Sequence, residues 1–324
     1  MDVLNENLTN STYLDTTTNV PTLSGVNFSF SFQFWFLLSF HIPSIICYFA
    51  VLTHILTKKS QRRAPHNHSI IVLLFIALCV VLFDYSWTLD SLRRGEVWPQ
   101  TPAFCEVWWL LDYGFFNACT VVLAWTSFER HILIFRSHLM ATKRKRILIH
   151  YLPLIGILIY LTIFYIYVIF FPPCENQYDY SSPTCGAYPC YLGIQSLGMW
   201  DTIIHGILPT FLITIFNVAL LIKSLCQKQR LRQSWKKCRK MAFQLLSVSA
   251  LFLSLNLPLA ITFLVQLCGY PEWGVQAQLY LYFFCTLIQY LLPFVCIPYV
   301  SRTRLRLKRI FTWCNRTVAP VTIL

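Results

Sequence analysis

Asp112 and Arg130 stand 18 residues apart within one long apolar run, 103–136. On a helix of 3.6 residues per turn that spacing is about five turns, so the two side chains share one face roughly 27 Å apart. Charged groups away from water are costly unless they meet a partner, a cavity or the headgroup layer. Arg130 is flanked by Glu129 and His131, and Glu129 can offset its charge. Two readings are open for the guanidinium: it snorkels to headgroups, or it is a held charge released for a partner. Asp112 lies near further acids at similar depth: Asp84, Asp90, Glu106 and Asp201. Tyr113, His205, Asn256, Tyr280 and Tyr282 supply polar and aromatic walls, and no Lys or Arg lies deep in that layer. A carboxylate without a basic neighbour is complemented by a cationic guest, either an amine or a basic peptide. The plainer reading is a hydrogen bond from Asp112 to Tyr, Asn or water within the protein.

These residues need a scaffold that keeps them from bulk water. Of the 324 residues, 56% are hydrophobic and 12% charged, with mean hydropathy +0.55. Soluble domains carry about a quarter charged residues, so a soluble enzyme and a disordered chain are both excluded. A bilayer core takes roughly 20 apolar residues per helix. Seven stretches satisfy this: 30–57, 69–91, 103–136, 147–171, 197–226, 240–268 and 274–300. The expected fold is an all-α membrane protein, a seven-helix bundle over 28–300. A polar tail (1–27) precedes it, and a basic segment (301–324) that opens with a short amphipathic eighth helix follows.

Charge orients the bundle. The net charge is +13, and 24 of the 26 Lys and Arg fall in the second, fourth, sixth and last of the eight non-spanning segments or at the span ends beside them. The exceptions are Arg93 and Arg94. Basic residues near span ends stay cytoplasmic, which places the N-terminus outside the cell, the C-terminus inside, and the chain in the plasma membrane. The basic excess then answers to anionic inner-leaflet lipid, and no nucleic-acid partner is expected. Three N-x-S/T sites, at Asn7, Asn10 and Asn27, lie in the outer tail and are candidates for glycosylation. The same match at Asn67 and Asn315 falls inside.

Thirteen cysteines are present. Cys47, Cys79, Cys119, Cys285 and Cys296 sit within spans, whereas Cys105, Cys174, Cys185 and Cys190 fall in the oxidising outer layer. A bridge from Cys105 to the outer loop would staple that loop over the bundle. Cys314 follows the basic segment 301–312 and is a palmitoylation candidate beside the free-thiol reading. No metal or cofactor is expected: His41 and His54 are too far apart for one metal face, and no span holds a lysine for a retinal Schiff base. An intramembrane enzyme lacks its constellation. A transporter or channel is the remaining alternative, without a visible internal repeat or polar pore stripe.

The pattern resembles the rhodopsin-like G-protein-coupled receptors over nearly the whole chain after residue 30. Cys105 precedes Arg130 by 25 residues, with Arg130 in Glu129-Arg130-His131, and Trp98 lies seven residues before Cys105. Pro209 and Pro258 look like that family's kink prolines in the fifth and sixth spans. Phe252 fits its sixth-span aromatic, and Leu292-Pro293-Phe294-Val295-Cys296 is similar to its Asn-Pro-x-x-Tyr motif. The resemblance implies a receptor with an extracellular ligand and a heterotrimeric G protein on the inner face. It makes Arg130 the switch arginine and Asp112 the equivalent of the aspartate that holds ligand ammonium groups. It also implies a bridge from Cys105 to the outer loop. Cys190 is the expected partner, with Cys174–Cys185 as the second pair and Cys185 as the alternative partner. There are departures: Ala77 stands at the sodium-site aspartate, Asn256 at the sixth-span tryptophan, Asn217 at the fifth-span tyrosine, and Thr286 at a seventh-span tyrosine. Lys236-Lys237-Cys238-Arg239-Lys240 occupies the stretch where an acid often restrains the arginine.

Overall fold

The computed structural model describes residues 29–62, 65–135, 142–186, 188–226 and 235–297. Among the described residues, seven helices are long and apolar enough to cross a membrane: α1 Phe30–Thr57, α2 Asn67–Arg94, α3 Pro102–Leu133, α4 Arg144–Phe170, α5 Gln195–Ile222, α6 Phe243–Leu267 and α7 Val275–Cys296. The helix containing α6 starts earlier, at Trp235. No strand occurs among the described residues. The glycosylation candidates Asn7, Asn10 and Asn27, the eighth-helix segment and Cys314 lie outside the described residues, as do the side chains of 236–240.

Each helix is apolar around most of its circumference, so polarity alone does not choose its inner face. On α4, Leu148, Leu152, Ile155, Ile159 and Ile163 are exposed at steps of three and four, forming one outward stripe. The opposite face buries Leu154, Leu161, Tyr165 and Val168. Such an outward stripe has hydrocarbon for its solvent. Inside the bundle, polar contacts fix neighbouring helices. Ser44 Oγ donates to the Tyr290 carbonyl (2.8 Å) and Tyr48 Oη to the Gln289 carbonyl (2.7 Å), tying α1 to α7. Asn217 Nδ2 reaches Ser127 Oγ (3.1 Å), tying α5 to α3. Gly95 ends α2 in a left-handed conformation (φ 81°), with its N–H on the Ser91 carbonyl (2.8 Å), the terminator glycine supplies without a Cβ penalty.

Four of the helices contain a wide π-helical stretch: Val80–Asp84 in α2, Leu110–Phe115 in α3, Ile147–Tyr151 in α4 and Asp201–Ile207 in α5. Two have a local cause. Pro153 and Pro209 stand two residues past the stretches of α4 and α5; proline has no N–H to give and its ring crowds the carbonyl one turn back, so the preceding turn widens. Pro258 and Pro293 lie inside α6 and α7, and Pro43 inside α1. The α3 stretch changes a sequence-based expectation. Counting at 3.6 residues per turn holds from Phe116 to Arg130, but Asp112 lies within the wide turn itself, so the shared-face argument does not carry across it.

The disulfides correct the expected pairing. Cys105 bonds Cys185 and Cys174 bonds Cys190, in place of Cys105–Cys190 with Cys174–Cys185. The reason lies in the loop between α4 and α5. Cys174 follows the end of α4 by four residues and Cys190 precedes α5 by five, so this pair closes the neck of the loop. Cys185 sits at the loop's inner fold. There Thr184, Cys185 and Gly186 are all left-handed (φ 54°, 60° and 65°), a costly run for residues with a Cβ. Trp109 Nε1 donates to the Thr184 carbonyl (3.0 Å), and the Val97 N–H donates to the Tyr180 carbonyl (2.8 Å). These contacts bring Cys185, and not Cys190, against the top of α3. The disulfide-bearing end is called the outer end below.

Candidate functional site

The outer acids fall into unlike surroundings. Asp201, the first residue of the α5 wide turn, is buried and both its oxygens are engaged. Oδ1 accepts from Tyr165 Oη (2.6 Å) and lies 2.7 Å from His205 Nδ1; Oδ2 accepts from Tyr191 Oη (3.0 Å). Tyr165 also accepts from Asn117 Nδ2 (2.7 Å), while His205 Nε2 meets Tyr160 Oη (3.0 Å), which accepts from Trp200 Nε1 (3.0 Å). The cluster joins α3, α4, α5 and the outer loop. Its close fit depends on Gly114, where a Cβ would press on the Tyr165 ring at 3.2 Å. Tyr191 lies in the loop, and burial followed by the Asp201 carboxylate holds its hydroxyl far above the usual phenol range. It therefore remains a neutral donor to Asp201.

Asp84, in the α2 wide turn, is buried and accepts from Trp108 Nε1 (2.7 Å). Glu106 accepts from Tyr178 Oη (3.0 Å), and Asp90 pairs with Arg94 (2.8 Å) on the surface. Burial, then the Glu106 carboxylate, pushes the Tyr178 hydroxyl up to about 12. Asp112 differs from all of these. It is half-buried, and its carboxylate has no hydrogen-bond or ion-pair partner among the described residues. It lies within electrostatic range of Asp84, Tyr113 and Tyr282. Tyr113 is half-buried, Tyr282 of α7 is 45% exposed and Tyr188 of the loop 60% exposed. Tyr113 and Tyr282 stand beside the free carboxylate, and Tyr188 lies within electrostatic range of Tyr113. Asn256 is buried and gives its amide to Thr210 Oγ1 (2.9 Å) between α6 and α5. Of the sequence-derived ligand candidates, then, Asp112, Tyr113 and Tyr282 lie within electrostatic range of one another and are not fully buried. Asp84, Asp201, His205 and Asn256 hold the frame.

At the inner end Glu129 and Arg130 are both 1% exposed. Glu129 faces two neighbouring helices, one through a hydrogen bond and one through a close approach. Oε2 accepts from Ser69 Oγ of α2 (2.7 Å), and Oε1 lies 2.8 Å from His150 Nδ1 of α4. His150 Nε2 is 3.4 Å from His68 Nδ1, which also meets Tyr151 Oη (3.1 Å). His131 packs its ring near Phe216 of α5 (6.3 Å between centroids).

Sequence reasoning missed Ser69, His150, Trp108, Asn117, Tyr160, Tyr165 and Tyr191. The signal for several was present: a polar side chain inside an apolar span usually faces the bundle. What no spacing rule supplied was the pairing across helices.

Seven spans, a loop stapled to the third of them and a buried Glu-Arg pair at the opposite end of that span define a helical membrane bundle. The family model described as 7 transmembrane receptor (rhodopsin family) matches residues 48–297, from the middle of α1 to the end of α7. The chain belongs to that family. Comparison with curated proteins gives no match.

Proposed function

We propose that this receptor sits in the plasma membrane with its N-terminus outside, binds a cationic extracellular ligand on Asp112, and answers by activating a heterotrimeric G protein through Arg130. The observation that carries the ligand half is the contrast among the acids of the outer layer. Asp84, Asp90, Glu106 and Asp201 each have a partner, and Asp112 has none among the described residues. A half-buried carboxylate without a partner favours a guest that brings positive charge and N–H donors. Tyr113 and Tyr282, within electrostatic range of it, are aromatic rings of the kind that attract a cation. An amine and a basic peptide both fit this chemistry.

The coupling half rests on family membership and on the placement of Arg130, buried at the end that carries most of the basic loops. The experiment is GTP-analogue exchange on added G proteins, in membranes containing the chain, while cationic amines and basic peptides are screened. Ligand-dependent exchange that disappears in Arg130→Ala, with surface expression kept, is the expected result. Retained exchange in that variant returns Arg130 to headgroup snorkelling. Ligand flux without exchange makes the protein a transporter.

A further inference from the structure

Glu129 is the acid next to the proposed switch arginine, yet both its oxygens face other helices: Ser69 on α2 at 2.7 Å and His150 on α4 at 2.8 Å. His150 is fully buried and lies in the wide turn Ile147–Tyr151, which Pro153 follows. It is backed on its other nitrogen side by His68 (3.4 Å), which is in turn held by Tyr151 Oη (3.1 Å) and the Arg62 carbonyl (2.8 Å). A buried polar chain with this many partners fixes side-chain direction. The carboxylate it fixes is also within electrostatic range of Arg130. One anionic charge is therefore divided between an imidazole and a guanidinium.

We propose that His150 is a positioning residue of the coupling machinery: by drawing Glu129 toward α4 it sets how much of that charge is left to restrain Arg130. The proposal rests on the coupling reading above. The charged and titratable groups around His150 are Glu129 on α3, with Arg130 next to it; His68 on α2; and Tyr151 and Arg146 on α4 itself. With His150 facing Oε1, less of the carboxylate is turned to Arg130, Arg130 is held less, and exchange is higher. Without His150, Glu129 serves Arg130 and exchange falls.

The test uses the full chain in nanodiscs with a G protein that supports exchange. Basal exchange is measured for the wild type, His150→Gln, Glu129→Gln and the double variant. His150→Gln should lower exchange by about 2- to 100-fold, the range for residues coupled within one network. It should do so only when Glu129 is present. Ser69→Ala removes the other grip on Glu129 and should act in the same direction, which covers a His150 variant that fails to fold. An equal effect of His150→Gln with and without Glu129 overturns the proposal. The Arg130 guanidinium nitrogen signals in NMR need no G protein. If the wild type supports no exchange, the coupling reading fails on its own. The positioning role then stands if those signals move in His150→Gln and not in the Glu129→Gln background, and falls if they stay still.

Discussion

The two ends of α3 carry acids in opposite conditions. At the inner end Glu129 is 1% exposed and held by Ser69 and His150. At the outer end Asp112 is half-buried and held by nothing described. A buried acid that takes a hydrogen bond from another helix contributes to one arrangement of helices and must lose a contact before anything moves. An acid without a donor favours whatever arrives to complete it. The α5 acid repeats the inner pattern at the outer end: Asp201 meets Tyr165, Tyr191 and His205. Depth does not separate the two conditions, since Asp112 and Asp201 share a layer. The surrounding donors do, and they come from other helices.

That contrast breaks most easily at Asp201. Asp201→Ala orphans two tyrosine hydroxyls and an imidazole, a loss of about 3–5 kcal/mol for a buried pair stripped of one partner. Thermal unfolding of the purified chain in detergent should show it, with reduced surface expression. A variant as stable as the wild type would mean that the Asp201 cluster is not holding the frame.

Asp112→Asn is the opposite case. It keeps shape and removes charge at a residue with no partner to orphan, so folding should be unaffected. Affinity for whichever cationic agonist the exchange screen returns should fall by about 2–5 kcal/mol, roughly 30-fold to several thousand-fold. Unchanged affinity at normal expression would make Asp112 a structural residue and end the cationic-ligand reading. Asp84→Asn sharpens the comparison further. Its Oδ1 already takes the Trp108 N–H, so the same agonist should lose less affinity there than in Asp112→Asn.

The smallest expected effect is in the loop. Hydrogen bonds from the Ser181 hydroxyl and N–H hold the exposed Asp179 carboxyl below its ordinary value of 3.8. A depressed carboxyl stabilises the fold above its unfolded value, and that contribution is lost as pH falls through the folded one. Loop proteolysis should therefore rise slightly in acid below about pH 4, and Asp179→Asn should remove that dependence. An identical acid response in the variant would assign it to another group.

Much of the site was legible because membranes leave few options for charge. Intramembrane charges stand out in apolar runs, which singled out Asp112, Glu129 and Arg130 before any fold was known. The same rule raised Asp84, Asp201 and His205 as ligand candidates, because a sequence cannot show whether an acid already has its donors. Trp108 and Tyr165 look like ordinary apolar packing residues until the helices are placed. The loop cysteines show the same limit: Cys190 was the expected partner of Cys105 and Cys185 the alternative, and the left-handed run at Thr184–Gly186 brings Cys185 to α3.

The sequence by itself determined the seven spans, their ends to within a few residues, and the resemblance that the family match on 48–297 bears out. It could do so because burying a backbone in hydrocarbon requires long, uninterrupted apolar helices, a local demand readable in any window. Only the tertiary structure decided which acids are engaged, which cysteines pair, and where helices widen. Those depend on groups brought together from different spans, as Asp201 is with Tyr165 and Glu129 with His150, and distance along the chain carries no record of such meetings.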